Sequence, residues 1–301
     1  MFSYPPKTEE RQVMKFGCTG NFEKPEFYDI LGKIYLFLKD FGHLFYLDSQ
    51  VILTHSEPWL KDIPTMHLEE IAESCDILFS IGGDGTILST IRRLGSKSLP
   101  VMGIHIGGLG FLSECTQKDY LTGIDQLLNG KYEISDRMIL EVCIQRNKVE
   151  KYYGLNDIVI DHGNTSRLLK TQIDVSGEYL NTYESDGIIL TTPTGSTAYS
   201  LSAGGPIVMP GLNVITVTPI CPHSLSARPI TISAEEEIVA RFFEDQSSIT
   251  ITVDGQISIP VDYATRITIR KAEYSARLIR LPGSSYFQTL RKKMGWQGKV
   301  R

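Results

Sequence analysis

The sequence predicts a two-part fold: an α/β N-terminal domain with a parallel sheet, then an all-β, sandwich-like C-terminal domain. Three observations carry this expectation. Up to residue 130, short apolar runs alternate with stretches whose apolar residues recur at helical spacing, the pattern of parallel strands joined by crossover helices. Beyond Gly130 helical spacing gives way to short β-rich runs separated by turn residues, as in antiparallel layered sheets. The 301 residues, 42% of them hydrophobic, suffice for two domains with cores of their own. The expected boundaries are a disordered lead-in over 1–13, an α/β domain over 14–132 and a β-rich domain over 133–301. A short C-terminal helix, residues 286–294, is free to return to the first domain.

The elements follow in order. Residues 13–18 read as a strand ending at Gly20-Asn21. Over 28–41, Ile30, Leu31, Ile34, Phe37, Leu38 and Phe41 keep helical spacing, and Gly42 supplies the stop. Residues 44–47 form a second strand. Thr65 can cap a helix to Ser74, with Glu69 and Glu70 early in it, where acidic groups suit the dipole. A buried strand at 76–81 leads to a helix at 86–94, stopped by Gly95. A strand at 101–106 leads to a helix at 119–128, stopped by Gly130. The later strands are expected at 139–145, 157–161, 168–175, 187–192, 214–218, 248–253, 266–269 and 275–279.

Composition excludes several classes. A net charge of −5 argues against a dedicated nucleic-acid binder, whose footprint is usually basic. Five scattered cysteines without a C-x-x-C pair read as free thiols in a reducing compartment. The opening MFSYPPKTEERQ lacks the apolar core of a secretory signal, so the sequon at 164–166 carries no weight. Met14 could serve as an alternative start. No apolar run reaches the roughly 18 residues of a membrane helix. A cytoplasmic protein is expected. The six histidines are dispersed and give no metal set, and G-x-S-x-G is absent.

Five motifs could carry chemistry. Gly82-Gly83-Asp84-Gly85-Thr86 lies where a buried strand meets a helix, where ligands sit in parallel sheets and where glycine turns expose N–H groups to anions. Among those amides Asp84 could hold a Mg²⁺-bound phosphate or take a proton from an attacking hydroxyl; the bland reading is a helix cap. No Walker-type loop occurs, and Leu88 stands where a third glycine would complete a dinucleotide fingerprint. Gly107-Gly108-Leu109-Gly110-Phe111 follows the next strand, and Phe111 either covers a ligand ring or plugs the core. Asn156-Asp157 could bond a ribose diol and an adenine edge, or simply open a strand through an Asx-type turn. The run from Ser185 to Gly205 holds Asp186, a short apolar strand and then hydroxyls and glycines around Tyr199. Small residues admit a ligand close to the backbone and hydroxyls bond sugars, amides or phosphates, so the run reads as a nucleotide pocket. Finally, Asp254-Gly255 is a two-residue hairpin signal and by itself only a turn.

Together these pieces resemble the NAD kinase family. Gly82-Gly83-Asp84-Gly85-Thr86, Asn156-Asp157, Asp186-Gly187 and the block from Thr194 to Gly205 match its motifs in order and spacing, from about residue 14 onward. The last block is the most specific; lipid kinases and phosphofructokinases share the first motif more loosely. The resemblance implies transfer of a phosphoryl group from ATP, with Mg²⁺ or another divalent cation, to the 2′-hydroxyl of the adenosine ribose of NAD⁺. Asp84 would act as the base. Gly85, Phe111, Asn156, Asp157, Arg167, Asp186, Thr194, Thr197, Ala198, Tyr199, Ser202 and Gln256 would bind NAD, Tyr199 by stacking. Gly82, Gly83, Gly85, Thr86 and Gly108 would face the phosphates of ATP or polyphosphate. A homodimer or homotetramer with nucleotide sites near subunit interfaces is implied, with no nucleic acid, membrane or resident metal. The chain departs from the family pattern at Glu184, where many relatives carry Arg, at His105, where Asn is usual, and at Gly108, often basic. The competing readings are a lipid or sugar kinase sharing the glycine-aspartate loop, and a non-catalytic NAD(P)-binding sensor. The block from Thr194 argues against the first, and Asp84 against the second.

Overall fold

The protein is described from a computed structural model that covers residues 13–51, 58–108, 110–146, 148–163, 168–243 and 248–296. The expected lead-in, except for residue 13, and the sequon lie outside the described residues.

Strand β1 (Lys15–Gly20) is followed by helix α1 (Pro25–Asp40), which buries Phe27, Ile30, Leu31, Ile34 and Leu38 along one face. The helix starts three residues earlier than its spacing predicts, because Pro25 fits the first helical position and Glu26 suits the dipole. β2 (Leu44–Asp48) and the two-residue β3 (Thr65–Met66) pair in parallel, so Thr65 is not the expected cap. His67 takes that position for α2 (Leu68–Ser74), donating its backbone N–H to Glu70 Oε2 at 3.1 Å. β4 (Ile77–Gly82), α3 (Asp84–Leu94), β5 (Val101–His105), β6 (Cys115–Thr116) and α4 (Tyr120–Leu128) complete the first half. Parallel pairing runs β5-β4-β1-β2-β3, and the core gathers the helix faces on these strands.

The second half holds β7 (Glu133–Gln145), β8 (Val149–Gly154), β9 (Asp157–Asp161), β10 (Leu169–Val175), β11 (Glu178–Ser185) and β12 (Gly187–Thr191). After the one-turn α5 (Tyr199–Ser202) come β13 (Val214–Ile220), β14 (Ile230–Ser233), β15 (Ile238–Phe242), β16 (Ile249–Val253), β17 (Ile257–Val261) and β18 (Arg266–Arg280). Helix α6 (Tyr286–Met294) ends it. The sequence does not mark β8, β11, β14 or β15: charged and small polar residues blur the alternation of the first three, and β15 is a short apolar run that periodicity alone does not assign.

β14-β13-β12-β9-β16-β17 form one antiparallel sheet. It packs on the β7, β10, β15 and β18 leaf through Leu140, Val142, Ile158, Ile160, Ile188, Leu190, Ile267 and Ile269, which gives the sandwich. That second leaf is not separate from the parallel sheet. The 15-residue β18 runs antiparallel to β7 and β15, and near its end Leu278 pairs in parallel with Val101 of β5. The sequence splits β18 in two because Arg270, Lys271 and Glu273 interrupt its apolar pattern; the strand absorbs them with a register shift between Lys271 and Ser275. All five cysteines are unpaired. Helix α6 does return to the first half, where the Tyr286 ring lies 6.4 Å from that of Phe111.

Candidate active site

The site forms where β4 and β5 end side by side, with Gly82 opposite His105. The turn out of β4 closes on Thr86. Gly83 donates its N–H to Thr86 Oγ1 at 3.4 Å, and a Cβ on Gly82 would meet that oxygen at 2.3 Å. Asp84 opens α3 and is partly exposed. Its Oδ2 accepts the Phe111 N–H at 2.9 Å and its Oδ1 the Leu112 N–H at 3.2 Å. Gly110 lies against the same carboxylate, since a Cβ there would fall 2.0 Å from Oδ1. The glycine loop after β5, ambiguous in sequence, is thus the seat of Asp84. Leu109 of that loop lies outside the described residues. A carboxylate has about four lone-pair sites, so two amide donors leave room for a substrate hydroxyl or a metal-bound phosphate.

His105 stands beside this seat. A Cβ on Gly83 would lie 3.7 Å from its Nε2, and its Nδ1 is buried with no hydrogen-bond partner among the described residues. Burial holds its imidazole below the ordinary range, with Asp84 pulling the other way. Gly108 is exposed, and nothing lies within 4 Å of a Cβ placed on it.

A second cluster surrounds Asn156-Asp157. The Asn156 carbonyl accepts from the Thr192 N–H and from Thr191 Oγ1, both at 2.9 Å. Thr192 Oγ1 donates to the Leu155 carbonyl at 2.6 Å and accepts from the Gly195 N–H at 3.1 Å. Gly195 is packed so closely that a Cβ would lie 2.2 Å from the Asn156 carbonyl oxygen. Ser196 Oγ donates to the Pro193 carbonyl at 2.7 Å and accepts from the Val208 N–H at 3.0 Å. The hydroxyl run therefore divides by task. Thr191, Thr192 and Ser196 hold the loop, whereas Thr194 Oγ1 is buried without a hydrogen-bond partner among the described residues. Thr197 and Ala198 are half-buried, and Tyr199 and Ser202 are exposed.

Asp157 is buried, and burial, reinforced by the nearby Asp254 charge, pushes its carboxyl up to about 7. Burial raises the Tyr199 hydroxyl, and Asp161, Cys221, Asp186 and Asp157 add to it. Asp186 does not adjoin Asn156. Thr191 pairs with Asp157 and Gly187 with Asp161, so Asp186 stands a strand's length away, roughly 15 Å. Its Oδ1 is 3.9 Å from His162 Nε2. Glu184 pairs with Lys170 at 3.3 Å. Arg167 lies outside the described residues.

The Asp254-Gly255 turn joins the two clusters. Both residues adopt positive φ, 50° and 65°, as a tight hairpin needs. The Asp254 side chain does more than turn the chain. Its Oδ1 accepts the N–H groups of Asn156 (2.7 Å) and Asp157 (3.2 Å), and its Oδ2 that of Leu155 (3.0 Å). Gln256 Nε2 donates to the Gly85 carbonyl at 2.8 Å, and its Oε1 accepts from Arg92 Nη2. Sequence reasoning missed Arg92 and Asp254. Arg92 sits in a last helical turn, where a cation is ordinary, and Asp254 in an ordinary hairpin dipeptide; neither pattern reveals that they meet.

The chain is similar to known proteins over most of its length. Two family models match, the ATP-NAD kinase N-terminal domain over residues 17–132 and the ATP-NAD kinase C-terminal domain over residues 155–281. An NAD kinase of Geotalea daltonii is 39% identical over 250 residues, 82% of this chain and 88% of that protein. One from Syntrophotalea carbinolica is 41% identical over 223 residues, 73% of this chain and 78% of that protein. Among solved structures, yeast NADH kinase complexed with NADH superposes with a TM-score of 0.81 at 26% identity, over all of this chain and 95% of that one. An NAD kinase from Archaeoglobus fulgidus in complex with ATP shares the fold, with a TM-score of 0.73 at 24% identity, over 95% of this chain and all of that one.

Proposed function

This chain belongs to the NAD kinase family, and we propose that it transfers the terminal phosphoryl group of ATP to the 2′-hydroxyl of the adenosine ribose of NAD⁺, giving NADP⁺. The observation that carries the reading is the seating of Asp84. Its carboxylate is fixed by two backbone amides at the mouth of the parallel sheet, and the next residue, Gly85, is tied by its carbonyl to Gln256, in the hairpin whose Asp254 holds the Asn156-Asp157 turn.

On this reading, Asn156 and Asp157 hold the adenosine ribose, with Thr194, Thr197, Ala198, Tyr199 and Ser202 lining the nucleotide and Tyr199 stacking on a base. Phe111 closes the pocket between the loop and Tyr286. Asp84 orients the 2′-hydroxyl and accepts its proton as the oxygen attacks phosphorus; the oxygen–phosphorus bond to ADP breaks as the new one forms. Phosphoryl transfer asks a protein mainly for positioning and charge stabilisation, so orientation is the larger part of its contribution. The turn of Gly82, Gly83, Gly85 and Thr86, with Gly108 open beside it, faces the donor phosphates at the helix N-terminus; the Gly83 and Thr86 N–H groups close the turn on Thr86 Oγ1 and the Gly83 carbonyl and shape it rather than donate outward. The divalent ion is assigned to the ATP complex as part of the substrate, since Mg²⁺ is commonly held by nucleotide phosphates. Asp84 and the polar mouth around it suit such a complex. Among the described residues no helix is long and apolar enough to cross a membrane. A cytoplasmic homodimer or homotetramer is proposed, in which Asp186 serves a nucleotide end remote from Asp84.

The test is a coupled assay with NAD⁺ or NADH as acceptor and Mg²⁺-ATP or polyphosphate as donor. NADP⁺ formation with ATP is expected. Asp84→Asn should keep NAD⁺ binding, measured by calorimetry, and lose about 10²- to 10⁴-fold in turnover. Turnover equal to that of the parent would sink the role of Asp84. Light scattering reads the oligomer, and a monomer at working concentration would remove that part of the proposal.

A further inference from the structure

Helix α3 carries two functions on one rigid rod. Asp84 is its first residue, and Arg92, eight residues on, lies about 12 Å along the axis. Arg92 leaves its own half of the molecule. Its Nη2 donates to Gln256 Oε1, and its Nη1 stands 3.7 Å from Asp254 Oδ2. The ion pair is nearly dry, with the two side chains 18% and 1% exposed.

Neither local structure demands this arrangement. The hairpin needs positive φ at Asp254, and Asn meets that need as well. An Asn, however, would present an NH₂ group to one of three backbone donors that now all find a carboxylate oxygen. The helix end already has Arg93, which pairs with Asp48 at 2.7 Å. Burying Arg92 costs desolvation that the helix dipole alone does not offset.

We propose that Arg92 is a positioning residue: with Asp254 and Gln256 it forms a latch that fixes the Asn156-Asp157 turn relative to Asp84, and so sets the distance between the bound ribose hydroxyl and its base. The inference rests on the kinase reading above. The latch runs in a closed circuit, from Asp84 and Gly85 through Gln256 to Arg92, and from Arg92 through Asp254 to the backbone amides of residues 155–157.

The experiment separates positioning from simple stabilisation. Arg92→Met should lower kcat for NADP⁺ formation about 10- to 100-fold, the scale of a small misplacement of reacting groups. The dissociation constant of NAD⁺ without ATP should stay within about threefold, because the turn itself remains. Arg92→Lys should recover part of kcat, since it restores charge beside Asp254 but not the planar fork to Gln256. Adding Gln256→Leu to Arg92→Met should cost little more, as both cut the same circuit. An unchanged kcat in Arg92→Met would overturn the latch. So would a loss that Lys does not relieve and that follows the fall in Tm. Should Arg92→Met not fold, Arg92→Lys decides: a reduced kcat at near-parental Tm supports the latch, and a parental kcat overturns it. A parent protein that makes no NADP⁺ would sink the kinase reading, whereas an active parent with an equally active Arg92→Met sinks only the latch.

Discussion

Gly110 leaves no space for even a methyl group beside the Asp84 carboxylate. Gly110→Ala must push the carboxylate off the Phe111 and Leu112 amides, and a loss in kcat of about 10²-fold is expected, with ATP and NAD⁺ still bound. Steady-state kinetics beside calorimetry would show it; a parental kcat would contradict this seating. Asp157 makes a second prediction at this scale. Its carboxyl titrates near 7 in the folded chain against about 3.9 unfolded, so folding favours the protonated form. Its contribution to stability is complete below about pH 3.9, declines as pH rises toward 7, and stays lost above. Asp157→Asn should therefore raise Tm at pH 8 by a few degrees and leave it nearly unchanged at pH 4. Because an ionised carboxylate accepts from ribose hydroxyls, the KM for NAD⁺ should fall as pH rises through 7. A pH-independent KM would remove Asp157 from ribose binding.

At the scale of elements, the turn that follows β16 meets the helix that starts at Asp84 through Gln256 and through the buried carboxylate of Asp254, which also holds the 155–157 turn. Asp254→Ala strips three backbone amides of their acceptor and leaves Arg92 without its ion-pair partner. A loss of about 3–5 kcal/mol is expected, read by urea unfolding. A loss below about 1 kcal/mol would show that water replaces the carboxylate. The sequence made some elements plain and hid others for the same physical reason. Asp157–Asp161 and Tyr286–Met294 were legible to the residue because apolar periodicity and turn residues coincide there. β18 was read as two strands, and β11 not at all, because their outward residues are charged and pairing alone decides them. In the candidate site, Gly82 to Thr86 and the block from Thr194 are runs of consecutive residues whose close-packed turns a local pattern can mark. The seat given by Phe111 and Leu112, and the Arg92–Asp254 pair at a separation of 162 positions, use backbone amides and distant partners that no local pattern records.

Across the whole molecule, the two halves share a strand rather than a linker. β18 pairs with β7 along its length, with β15 over residues 267–269 and, on the same edge near its far end, with β5 at Leu278. Equilibrium unfolding should then be a single transition, in which fluorescence of Trp59, in the α/β half, read in a Trp296→Phe background, and far-UV circular dichroism of the sheets coincide. Two separated midpoints would show that the halves melt independently.

The same strand sets an order of assembly during synthesis. A growing chain has β5 paired with β4 long before residue 278 leaves the ribosome. Until then β5 and β7 present unsatisfied backbone edges, the surfaces on which nascent chains stick to one another. Ribosome-stalled chains ending before Arg266 should hold chaperones, and chains that extend past Arg280 should release them.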